Sequence, residues 1–222
     1  GSGPNGAIVH YRAIAGADRE LASDDLLLLD SGGHYRDGTT DITRTIAIGT
    51  PPNGAVAAYS HVLQSHIHLA MAKFPTGTNG KQLDAIARAP LWAAGLDFAH
   101  GTGHGVGHVL SVHEGPASIS KRGDVALEAG MVLSNEPGYY QTGDWGIRIE
   151  NLIVVIPAKQ TGFLEFETIT LCPLDRRLID KTLLDAGEIG WIDHYHRAVY
   201  EQLHPHLSPM AKSWLEVACC PL

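Results

Sequence analysis

The chain has 222 residues, enough for one large domain or two small ones, and 44% of them are hydrophobic, so a sizeable core can form. Its 24 acidic residues outnumber 16 basic ones, the net charge is −8, and no basic run stands out, which argues against nucleic acid and anionic membrane surfaces as partners. The longest apolar runs, LLLL at 26–29 and LIVVIP at 152–157, fall far short of the roughly 20 residues of a membrane helix.

The cysteines, Cys172, Cys219 and Cys220, form no C-x-x-C, and no signal-peptide pattern opens the chain. A reducing, cytoplasmic setting is the simplest reading of that usage.

In chain order, GSGPNG reads as a turn. DLLLLDSGGHYRDGTTDITRTIAIG (25–49) reads as an apolar strand, a glycine-rich connection and an alternating strand, with Asp30 ending the first strand and Asp41 opening the second. Pro51-Pro52-Asn53-Gly54 is a loop. AVAAYSHVLQSHIHLAMAKF (55–74) has helical spacing, as does NGKQLDAIARAPLWAAGL (79–96), which should bend or end near Pro90. HGTGHGVGHVLSVHEGP (100–116) carries His100, His104, His108 and His113 among glycines. It is no H-E-x-x-H zinc helix, since HGTGH has no Glu, and it has no G-x-G-x-x-G register. Glycines suit a strand pressed closely against a site, with one or two imidazoles aimed into it.

The segment MVLSNEPGYYQTGDWGIRIENLIVVI (131–156) repeats the first plan: apolar strand, Glu136, wide turn, Glu150, strand. Each half has an arginine near its second acid, Arg44 and Arg148. From Asp175 onward the pattern turns helical, with LLDAGEIGWIDHYHRAVYEQL, a break at HPHLSP (204–209) and a short last helix, MAKSWLEVA. The expected organisation is a sheet-containing unit over 1–175 and a helical tail over 176–222 that packs on it or on a second copy.

One carboxylate at a strand end is usually a cap or a solvated side chain. Four beside apolar strands would be very costly to bury without cations. Four carboxylates with an imidazole suit hard to borderline ions such as manganese, cobalt or zinc. Two such ions close together can share a nucleophile and bind a carbonyl.

These residues carry a resemblance. DSGGHYRDGTTDITRT, HGTGHGVG, VHEGP, EPGYY and GIRIENL resemble the C-terminal catalytic domain of the long, cytosolic-type Xaa-Pro aminopeptidases (aminopeptidase P). Prolidase and methionine aminopeptidase share their pita-bread fold. The resemblance implies an α+β architecture: a curved, mostly antiparallel sheet with helices on its outer face and a pseudo-twofold. It implies two divalent ions, manganese first with cobalt or zinc as alternatives, held by Asp30, Asp41, His104, Glu136 and Glu150. Asp41 and Glu150 would bridge the ions. It implies Glu136 as proton carrier, assisted by His10 or His113, and a substrate pocket formed by His10, His100, His113 and Arg148. Its implied substrates are peptides with proline in second position, and its implied assembly is a homodimer. His108, His34, His61, His66, His68, His194, His196, His204 and His206 receive no role.

The family has helices before the segment that corresponds to SGPNGAIVHY, and this chain shows none there. The sheet face carrying Leu27 and Leu29 should then need another cover. Alternative functions are a prolidase acting on Xaa-Pro dipeptides, or a non-catalytic pita-bread module that binds proteins.

Overall fold

A computed structural model describes residues 1–16 and 18–222. Strand β1 (Asp24–Tyr35) pairs antiparallel with β2 (Gly38–Gly49) along its whole length, from Asp24 opposite Gly49 to Tyr35 opposite Gly38. This corrects the expectation that Asp30 ends one strand and Asp41 opens the next. Asp30 lies opposite Thr43 and Asp41 opposite Gly32, both inside the ladder. Side chains alternate along a strand. Leu26, Leu28 and Asp30 therefore share one face with Ala47, Thr43 and Asp41. At one end that face enters the core, with Leu26 1% exposed and Leu28 6%. At the other end it presents the two aspartates.

Helix α1 (Ala55–Ala70) follows. It is shorter than the 55–74 pattern because Phe74 belongs to strand β3 (Lys73–Pro75), opposite Leu164. Helix α2 (Gly80–Ala93) opens on a capping box between Asn79 and Gln82. It neither stops nor turns to coil at Pro90. The carbonyl that Pro90 leaves unpaired is that of Ile86, whose side chain is 42% exposed, so water can reach this face of the helix.

Short strands β4 (Gly103–His104) and β5 (Ser118–Ile119) pair with each other. Strand β6 (Val132–Asn135) pairs with β9 (Asn151–Pro157), and β7 (Gly138–Gln141) with β8 (Trp145–Arg148). Both ladders follow one register. Asn135 faces Asn151 and Gly138 faces Arg148, which sets Glu136 across from Glu150. The second half is thus a second long hairpin. Strand β10 (Phe163–Thr168) completes a sheet in the order β3-β10-β9-β6. A bridge between Thr43 and Glu150 joins the two hairpins at their carboxylates.

The tail forms α3 (Ala186–Leu203) and α4 (Pro209–Ala218). Ile192, Tyr195, Val199 and Leu215 join Leu26, Ala47, Tyr59, Leu63 and Ile147 in one core. Arg44, 4% exposed, ties this tail to the sheet. It donates to the carbonyls of Thr43, Glu150, Pro173 and Cys172, to Asn151 Oδ1 and to Tyr195 Oη. The β1 face opposite the core is covered only in part. The 3-10 turn Gly3–Ala7 packs on β1 and β8, yet Leu29 remains 50% exposed among the described residues. No described helix is long and apolar enough to cross a membrane.

Candidate metal centre

The two hairpins and β4 deliver their polar residues to one cavity of about 480 Å³. Asp30, Asp41, His104, Glu136, Glu150, His10, His100, His113 and Arg148 all line it. At its centre, atoms of Asp41, His104 and Glu150 lie within 4.8 Å of one another. His104 Nε2 is 3.5 Å from Asp41 Oδ2 and 3.4 Å from Glu136 Oε1. Asp30 sits at one side, where Arg148 Nη2 donates to its Oδ2 at 2.5 Å.

Local chemistry explains the placement. Gly103 lets β4 lie against β6, because a Cβ there would overlap the carbonyl of Ser134. Ser134 Oγ accepts from the His104 N–H and donates to Glu136 Oε1. Thr43 Oγ1 donates to Glu150 Oε2 at 2.7 Å. His104 Nδ1 donates to the Gly105 carbonyl at 2.9 Å, which leaves Nε2 free to act as a ligand.

Electrostatics mark the same point. Burial raises the Glu136 carboxyl above its ordinary range, against the pull of the His104 charge. Burial raises Glu150 too, reinforced by the charges of Glu136 and Asp41. Burial alone would lower His104, but its contacts with Asp41 and the Gly105 carbonyl and the charges of Glu136 and Glu150 lift it to about 9. Carboxylates crowded until they favour protonation, around an imidazole driven to carry charge, form a site short of positive charge. Four hard oxygen donors and one nitrogen fit a pair of divalent ions of the manganese, cobalt or zinc class.

Around this centre, His113 stands perpendicular to His104 at a ring separation of 4.3 Å. Its pKa is lowered by burial and by the charge on His104. His10 is exposed at the rim. His100 is pulled down to about 4, chiefly by burial, and is neutral at pH 7. Its Nδ1–H donates to the Gly101 carbonyl, so Nε2 accepts from the Tyr140 hydroxyl at 2.9 Å. Arg148 Nη1 in turn donates to that hydroxyl oxygen at 3.1 Å. Tyr140 is a residue of the site to which the sequence assigns no role. The only signal was its place in EPGYY, four residues after Glu136. His34, also left without a role, lines the cavity beside Thr39.

Residues 1–157 match the family model for metallopeptidase family M24, and 162–222 match the C-terminal region of peptidase M24. The chain is 46% identical over 233 residues to a probable Xaa-Pro aminopeptidase P of Laccaria bicolor, matching 100% of this chain and 36% of that protein. It superposes on the crystal structure of X-prolyl aminopeptidase from Caenorhabditis elegans, described as a cytosolic enzyme with a di-nuclear active site. There the TM-score is 0.95 at 44% identity, covering 100% of this chain and 38% of that one. For the Xaa-Pro dipeptidase from Bacillus anthracis the TM-score is 0.68 at 33% identity, covering 78% of this chain and 46% of that one. The chain thus spans little more than a third of the length of the curated relatives it matches. Its paired hairpins, its helices and the family models agree, and the chain belongs to metallopeptidase family M24, with the pita-bread fold.

Proposed function

We propose that this chain is the catalytic domain of a di-metal Xaa-Pro aminopeptidase, which releases an N-terminal residue by hydrolysing its bond to proline. The observation that carries the reading is the meeting of five ligand-type side chains with three histidines and an arginine in one cavity. Asp30 and Asp41 would hold one ion, His104 and Glu136 the other, with Asp41 and Glu150 shared. A bound ion pair supplies Lewis-acid polarisation of the scissile carbonyl and a nucleophile at neutral pH.

The remaining steps fall to the chain's own groups. A proline nitrogen is a tertiary amide nitrogen and must gain a proton as it leaves. Glu136 lines the same cavity and is the group placed to take the proton the attacking water gives up and pass it to that nitrogen. His113 and His10 face the same space and assist with the developing charge. Neutral His100, held by Tyr140, offers a flat, uncharged wall to the pyrrolidine ring. Arg148, 2% exposed, braces Asp30 and Tyr140. Manganese is the first candidate because four of the five donors are carboxylates. The proposed location is the cytoplasm, in keeping with the description of the Caenorhabditis elegans enzyme as cytosolic.

The runner-up is a prolidase. Similarity over the whole chain favours the aminopeptidase: the Caenorhabditis elegans X-prolyl aminopeptidase is 44% identical with 100% of this chain covered, the Bacillus anthracis dipeptidase 33% with 78% covered. Release of the first residue from Xaa-Pro-Xaa peptides, compared with Xaa-Pro dipeptides, tests this. The tripeptide should be cleaved at the higher kcat/KM. Cleavage of dipeptides alone would transfer the assignment to prolidase. Cleavage of neither, with ions bound, would indicate a binding module.

We also propose a homodimer through α4. Met210, Trp214 and Val217, spaced four and three residues apart, are 84%, 61% and 67% exposed and form one apolar stripe. A specific interface there should exceed about 1,000 Å². Light scattering should report two copies per particle, and Trp214→Glu should shift the protein to monomer. A wild-type monomer at micromolar concentration would end this part of the proposal.

A further inference from the structure

The segment between α2 and β4 makes no ladder of its own, yet it leads directly to His100 and His104. Its main chain is held from one side by a single residue. Arg88, on α2 and 1% exposed, donates from Nη1 to the Phe98 carbonyl at 2.6 Å and from Nη2 to the His100 carbonyl at 2.6 Å. Nη1 also donates to Asp97 Oδ1 at 2.7 Å. Its guanidinium carbon lies 3.8 Å from the centre of the Phe98 ring. Nε is taken by Asp84 Oδ2 at 2.9 Å, one helical turn earlier.

Asp84 has a second task. Its Oδ1 accepts from Thr102 Oγ1 at 2.6 Å, and the Thr102 carbonyl accepts from the Glu136 N–H at 2.8 Å. Asp84 and Thr102 are 3% and 0% exposed. A helix that touches none of the ligand atoms therefore fixes the main chain around His100, the approach to His104 and the start of Glu136.

We infer that the buried Asp84–Arg88 pair is a positioning device for the metal centre, setting the line of the 97–104 segment and, through Thr102, that of Glu136. The inference rests on the proposed role of His104 and Glu136 as ligands. Arginine is required because one planar fork reaches a carboxylate on each side and two carbonyls while stacking on a ring. A lysine ammonium is a single point with three donors and cannot span them.

The test uses Arg88→Lys and Thr102→Val in the full chain, the second nearly isosteric and removing only the hydroxyl bond to Asp84. Amide hydrogen exchange, read without added metal, should rise at least about tenfold at 97–104 and at Glu136 relative to α1 and α3. Calorimetric titration with Mn²⁺ should show affinity weakened by about 10–100-fold, the range for groups that orient metal ligands. The loss in kcat should exceed any change in KM. A purely structural role would raise exchange everywhere and leave the affinity of the folded fraction unchanged, which would overturn the inference. If Arg88→Lys does not fold, Thr102→Val decides alone. Failure of the wild type to bind Mn²⁺ would count against the proposed function. The exchange pattern would still decide whether the pair positions this segment.

Discussion

Replacing Glu150 by glutamine should lower kcat/KM by roughly a thousandfold and at the same time stabilise the metal-free protein. Glu150 is 2% exposed and faces Glu136 and Asp41, whose charges join burial in raising its pKa. Glutamine keeps the shape and can still accept from Thr43 Oγ1, so the fold should survive. It removes the charge that a shared ligand must supply. Losing several kcal/mol of Lewis-acid stabilisation, taken as about 4 kcal/mol, lowers kcat/KM by roughly a thousandfold. Without metal, the same change relieves a cluster of like charges, and the thermal midpoint should rise. Activity within tenfold of wild type would remove Glu150 from the metal site. A fall in the metal-free midpoint would show that the carboxylate cluster is not under electrostatic load.

The second large effect is the response of stability to metal and pH. At a thousandfold excess over Kd, a ligand that binds only the folded state adds about 4 kcal/mol. For a domain of this size that is about 10 °C in thermal midpoint. The sign of the pH dependence follows from the shifts. Glu136 and Glu150 are raised above 4.5, and His104 is raised from 6.5 to about 9. Groups raised on folding contribute stability that is fully present below their unfolded pKa and lost as pH climbs through the folded value. Glu136 and Glu150 therefore withdraw stability as pH rises from 4.5 to about 7 and about 8, and His104 does so between 6.5 and about 9, so the metal-free protein should lose stability between pH 6.5 and about 9. Between pH 4.5 and 6.5 the two carboxyls are opposed by three buried histidines, which outnumber them and reverse the net slope. His66, His100 and His196, lowered by burial to about 3, 4 and 4, resist protonation, so stability falls as pH falls. Metal binding displaces protons from its ligands and strengthens with pH. The gain in midpoint on adding Mn²⁺ should be larger near pH 9 than near pH 6.5. Scanning fluorimetry with and without metal measures both slopes. A metal increment that shrinks as pH rises would place the ions elsewhere.

Much of the site was legible because its chemistry conflicts with its surroundings. Asp30 and Glu136 each follow an apolar run, and His104 stands among glycines, so each breaks the local pattern in a way a core would not tolerate. The resemblance implies residue roles that spacing alone leaves open. The misread boundaries have separate causes. Ser31 to Thr40 lacks apolar alternation and reads as a loop, because that stretch of the ladder faces a cavity rather than the core. Phe74 looks like the last turn of α1 until its partner Leu164, far along the chain, draws it into β3. Tyr140 stayed hidden because its meaning lies in His100 and Arg148, which only the fold brings to it. In the tail, Trp191, Tyr195, Val199, Trp214 and Leu215 look alike in sequence. Only packing separates Tyr195, Val199 and Leu215, which are buried, from Trp214, which is exposed.

The central claim is that Asp30, Asp41, His104, Glu136 and Glu150 form one di-metal centre. Anomalous diffraction from crystals of the chain grown with Mn²⁺ tests it most directly. Two peaks about 3.5–4 Å apart are expected, the spacing of paired catalytic ions, both in contact with Asp41 and Glu150. No peak among these five side chains, or a single ion that contacts neither Glu136 nor His104, would contradict it.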